Sequence, residues 1–202
     1  MQNLQKAKTG LKKMFIAQIG IFAFTLLPRT LGTGLAYVFL LTGSIPLLVL
    51  ILVIVFVGLA SLILVYIGLC QAGKDIRGFK TSFLLTLFNL PVVVLRRFFG
   101  TAVLEIILSL SSKVLGLAAS YYLYIPLSRA MEEIGASDEA HLARIAWRIK
   151  LTRTFLSAAV LILALFPILS DVTGLVSTLE TVVLRAGGAF GLLAFYKCQK
   201  AI

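Results

Sequence analysis

Apolar residues along this chain fall in runs rather than in stripes. Long runs occupy Ile45 to Leu69, Val114 to Leu127 and Val172 to Tyr196, the second continuous with Thr101 to Ser112 across Lys113. Shorter ones occupy Met14 to Leu27, Ser82 to Leu95 and Thr154 to Ile168. A helix that is apolar all round offers no face to water, and a bilayer crossing takes about 20 residues. The three short runs reach that length by borrowing flanking residues, so the first helix is expected to start near Leu11, the third near Phe79 and the fifth near Ile149. The pattern predicts an all-α integral membrane protein with six transmembrane helices.

A repeated phrase organises the six. GLASLILVYIGLCQA (58–72), GLAASYYLYIPLSRA (116–130) and GGAFGLLAFYKCQKA (187–201) align without a gap, with Gly first, Ala third, an aromatic ninth (Tyr66, Tyr124, Phe195) and Ala last. Each copy closes an even-numbered helix, and GLKKMF at Gly10 to Phe15 matches GFKTSF at Gly78 to Phe83. The expected unit is a helical hairpin repeated in tandem as a parallel repeat, approximately 10–72, 78–130 and 142–201, within one transmembrane domain, 1–202, that includes a cytoplasmic linker at 131–150. The match at Gly10 also argues against reading the N-terminal lysines and apolar run as a cleavable signal.

Small residues let helices approach closely in lipid. Gly58, Gly116 and Gly187 share one depth, and the pairs Gly116/Ser120 and Gly187/Gly191 have small-xxx-small spacing, so these five are expected at helix contacts. The ninth-position aromatics are expected at the headgroup level. Thr30 to Ser44 reads as a short helix on or partly into the outer leaflet, with a re-entrant segment as the functional alternative. Before the third unit, Gly135 is expected to stop a helix and Ser137 to cap the next. The face Leu142, Ile145, Ala146 and Ile149 then suits a headgroup-level helix.

Composition agrees: 60% of residues are apolar, 13% are charged and the mean hydropathy is +1.04. Most of the 19 Lys and Arg fall at the two ends and in the even-numbered loops, while the alternate loops hold Arg29, Arg96 and Arg97. By the positive-inside rule both ends are cytoplasmic. The net charge of +11 is accounted for by topology and by anionic lipid headgroups on the cytoplasmic side, with no nucleic-acid partner. In the absence of an organelle signal the expected location is a bacterial plasma (inner) membrane. Cys70 and Cys198 lie at cytoplasmic helix ends, where a disulfide is not expected.

Catalytic patterns are absent. The single histidine, His141, permits neither an HExxH pair nor a histidine metal cluster, and there is no nucleophile elbow or phosphate loop. No metal, cofactor or catalytic residue is expected. Four ionisable residues stand inside apolar spans: Glu105 and Lys113 in helix four, Glu180 and Arg185 in helix six. Charge at membrane depth costs several kcal/mol, so these residues either pair, as Glu105 with Arg185 or Glu180 with Lys113, or line a path. The first expectation is a structural, accessory or assembly component without enzymatic activity, with a second copy or another membrane protein as candidate partner. The alternative is a small-solute or ion transporter with a path between the hairpins, and an intramembrane enzyme comes third.

Overall fold

The computed structural model describes residues 4–26, 38, 41–98 and 102–202. Among them it is all-helical, with α1 (Gln5–Leu26), α2 (Ile45–Ala72), α3 (Arg77–Phe98), α4 (Ala102–Glu133), α5 (Ser137–Leu163), a 3-10 turn at Pro167–Leu169, and α6 (Ser170–Ala201). Helices α2, α3, α4 and α6 are long and apolar enough to cross a membrane. At ~1.5 Å per residue the 22 residues of α1 and the 27 of α5 extend about 33 and 40 Å, but their first turns are polar. The outer segment expected at 30–44 lies outside the described residues except for Val38 and 41–44.

Helices α1, α3 and α5 begin well before their apolar runs. The reason is packing rather than hydropathy. The early turns bury small or apolar side chains, Ala7 and Leu11 on α1, Phe79 on α3, and Ala140, Ala143 and Ala146 on α5. Residues 137–150 are thus the first half of α5, continuous with the fifth apolar run and packed into the bundle on an alanine face.

Each helix packs on its neighbours in the chain, and α1 closes on α6, so the six form a ring whose slimmest seam is between α2 and α3. Neighbours run antiparallel throughout. On α1 and α2, Gly10 meets Gly68 and Ala72 while Gly20 meets Ser61. The α4–α5 seam carries Tyr121 against Trp147 at one level, ring centroids 5.4 Å apart, and Lys113 against Ser157 at another. Phe15 contacts Tyr196, and Gly188 faces the Phe22 ring, across the closing α1–α6 seam. The α1–α2 crossing depends on missing side chains: a Cβ on Gly10 would stand 2.5 Å from the Gly68 carbonyl oxygen, and one on Gly68 2.8 Å from that of Gly10.

Two turns fix the end that holds both chain ends. The Asp75 carboxylate, between α2 and α3, accepts a 2.7 Å hydrogen bond from the Ala7 N–H in the first turn of α1, one of the donors a helix start leaves without a partner. Gly135 takes φ 80°, and the bonds Ala136 N–H to Met131 O and Gly135 N–H to Glu132 O complete a Schellman stop of α4. Ser137, expected as the cap of the next helix, is instead its first residue, and Ala136 holds the cap position without a side-chain bond.

Burial is concentrated at this same end. Leu11, Phe79 and Ala143, each the second residue of its expected unit, are fully buried, and Leu69, Leu127 and Cys198, each the twelfth of its phrase, are at most 2% exposed. One apolar residue from every helix thus contributes to the plug. Most of the α2 surface points outward, Phe56 and Leu52 among the exposed side chains, as a lipid-facing helix requires.

Candidate solute chamber

Beyond the plug the ring is hollow. A cavity of about 240 Å³ is lined by residues of all six helices, among them Gln18 of α1, Val65 of α2, Ser82, Thr86 and Asn89 of α3, Ser120 and Tyr124 of α4, Lys150 of α5 and Phe195 of α6. A second, of about 350 Å³, shares Gln18, Tyr124 and Lys150 with it and continues between α1, α5 and α6 past Arg153 and Gly187. Those three shared residues form a polar waist between the two cavities.

The local chemistry of that waist is set by helical spacing. Gln18, Thr86 and Lys150 are the ninth residues of the three units, and Asn89 and Arg153 are twelfth residues of theirs, almost one further turn along the same face. The Thr86 and Ser120 hydroxyls donate back to Ser82 O and Gly116 O in their own helices, both at 2.8 Å. Tyr124 stacks on Phe195 with ring centroids 5.9 Å apart. Its hydroxyl reaches so near α6 that a Cβ on Gly191 would lie 3.2 Å from it. The Asn89 amide oxygen is sealed without a donor. Lys150 is half-buried with its ammonium in the chamber, and neither cavity has an Asp or Glu among its described lining residues.

No protein-family model, curated protein or solved structure matches the chain. Its chemistry is therefore read from its own geometry.

The four charges singled out by the sequence are dispersed. Glu105 pairs with Arg96 at 3.1 Å on the exposed end of the α3–α4 hairpin, not with Arg185. Lys113 bonds to the Ser157 hydroxyl. Glu180 is buried on α6 and makes no salt bridge with Lys113 within 4 Å. Arg185 is exposed on α6 and makes no salt bridge with Glu105 or Glu180.

The expected packing residues also divide. Nothing lies within 4 Å of a Cβ built on Gly116, which borders the chamber with Ser120. A Cβ on Gly187 would stand 3.1 Å from Ile149 and one on Gly191 3.2 Å from the Tyr124 hydroxyl, so both are close approaches, and Gly187 also borders the space. Gly58 is half-buried on α2. The tightest crossings involve Gly10, Gly20, Gly68, Gly78 and Gly188 instead, with Gly78 set against Pro126. The ninth-position aromatics turn inward: Tyr124 and Phe195 are buried, and Tyr66 donates to the Thr86 carbonyl at 3.3 Å. Among the described residues no three His, Cys, Asp or Glu are placed to hold a metal ion.

Proposed function

We propose that the chain crosses a bacterial plasma membrane six times, as three repeated hairpins with both ends cytoplasmic, and that the central chamber holds and passes a small polar solute. The chamber carries this reading: a scaffold has no need of amide, hydroxyl and ammonium groups from different helices converging on a hollow at membrane depth, where each is costly. Six crossings are supported by the antiparallel ring, in which α1 runs along α2 from Gly10 and Gly68 to Gly20 and Ser61. The repeat is supported by matched burial at its second and twelfth positions. Lys150 and Arg153 leave the tally of loop cations on this reading, yet the excess at the two ends and in the even-numbered loops keeps its sign. The assembly-protein alternative draws less support, since the ionisable residues that were to lock the hairpins together sit at separate places.

The test is uptake by proteoliposomes offered labelled anionic, neutral and cationic small solutes in turn. One class is expected to enter, and Gly116→Leu, whose side chain projects into open space, is expected to abolish entry while leaving thermal stability unchanged. Absence of uptake of every class by folded protein, or uptake indifferent to Gly116→Leu, overturns the proposal.

A further inference from the structure

We infer that the chamber is a binding site for a small organic anion, a carboxylate with an apolar body, whose charge is met by Lys150. The inference deepens the solute-path reading and rests on it for its biological use, though not for its binding measurement.

Three observations converge. Lys150 places an ammonium, which has three donors and no acceptor, in an interior space to which all six helices contribute, and no hydrogen bond or ion pair ties it to any described residue. Arg153 stands three residues on along the same helix and borders the same space, so a second positive charge adds to the field there. No carboxylate stands among the described lining residues beside Lys150. An opposite charge stabilises an ammonium held away from bulk water, and a bound carboxylate would supply one.

The rest of the lining sets the ligand's other features. Gln18 and Asn89 bring amides, and the sealed oxygen of Asn89 leaves its NH₂ as the end able to serve a ligand. Met14, Leu123 and Phe195 supply apolar wall beside Lys150, as expected of a site that buries a hydrophobic body and orients one polar group. A cavity of about 240 Å³ takes a molecule the size of benzoate. A strongly hydrated inorganic anion would leave that wall unused.

The experiment measures binding to the purified full-length protein in detergent by calorimetry, with benzoate, its neutral counterpart benzamide and the cation benzylammonium as probes. Benzoate is expected to bind at least tenfold more tightly than either. Lys150→Arg should keep that preference, Lys150→Met should abolish it, and Lys150→Glu should transfer it to benzylammonium. Without ligand, Lys150→Met should melt no lower than the wild type, because the replaced charge has no protein partner. A marked fall would reveal a structural ion pair and overturn the inference, as would equal affinity for benzoate and benzamide, or benzoate affinity that survives Lys150→Met. Folded protein that ignores benzoate overturns it too. Uptake of a neutral or cationic solute through the chamber, without benzoate binding, would sink the anion and keep the path. Lys150-dependent benzoate binding without flux of any solute would do the reverse.

Discussion

Two glycines on second helices of their hairpins should respond oppositely to the same added methyl group. At Gly68 a Cβ would meet the Gly10 carbonyl oxygen at 2.8 Å and the Met14 backbone nitrogen at 3.2 Å. Backbone atoms cannot rotate away, so α1 and α2 must separate, and overpacking of this kind costs about 1–3 kcal/mol. At Gly116 the same methyl meets nothing within 4 Å, and replacing a helical Gly by Ala gains up to ~1 kcal/mol in backbone entropy. A change of 1 kcal/mol moves Tm by about 2–4 °C in a chain of this length. Gly68→Ala should therefore lower Tm by several degrees, while Gly116→Ala should leave it unchanged or raise it by about 2–4 °C. Thermal unfolding in detergent, followed by circular dichroism, measures both. Equal falls would mean that Gly116 packs against a helix, as its small-xxx-small spacing with Ser120 suggests, and would refute the hollow ring.

The link between Asp75 and the start of α1 predicts that Asp75→Ala lowers stability by roughly 0.5–2 kcal/mol, the usual cost of losing a helix cap; an unchanged Tm would show that the 2.7 Å bond contributes nothing. Cys70 is exposed and Cys198 buried in the plug, so in inverted vesicles an impermeant maleimide should label Cys70 rapidly and Cys198 only after denaturation. Rapid labelling of Cys70 from outside intact cells would reverse the proposed orientation.

Helix content was legible because apolar runs of this length have one structural solution in lipid, where every backbone group must find its partner within the segment. The start of α1 was not, because hydropathy measures affinity for lipid whereas Gln5 begins a helix held by its neighbours; α3 begins at Arg77, two residues from the expected Phe79, and α5 at Ser137, the residue expected to cap it. Charge led the site search toward Glu105, Lys113, Glu180 and Arg185, each inside an apolar run. Lys150 and Arg153 instead stand where the third unit is still polar along the chain, and so resemble loop cations. The signal that finds them is the repeat itself: extended from the phrases back into the first helix of each hairpin, it aligns Lys150 with Gln18 and Thr86, and Arg153 with Asn89. Uncharged polar residues inside apolar runs then point to the same face as the cations.

The fifteen-residue phrase acquires its meaning from the geometry of a ring. Six helices packed about 8–10 Å apart around a regular closed circle leave at the centre a space as wide as one more helix, and side chains must either fill it or leave it hollow. Each phrase opens on glycine and carries a large aromatic at its ninth position. Its early positions give Gly116, Ala119 and Ser120 in α4 and Gly187 and Gly191 in α6, beside the chamber or admitting the Tyr124 hydroxyl. Its ninth and twelfth positions give Tyr124, Phe195, Leu69, Leu127 and Cys198, which crowd the plug or its edge. The gradient from small to large along the second helix of each hairpin therefore makes the same ring open in its middle and shut at the end that holds both chain ends. In α2 the phrase has Leu62 where the other copies have Ser120 and Gly191, and that Leu62 is exposed. The hollow accordingly lies among α1, α4, α5 and α6 more than against α2, on the side where Lys150 and Arg153 stand.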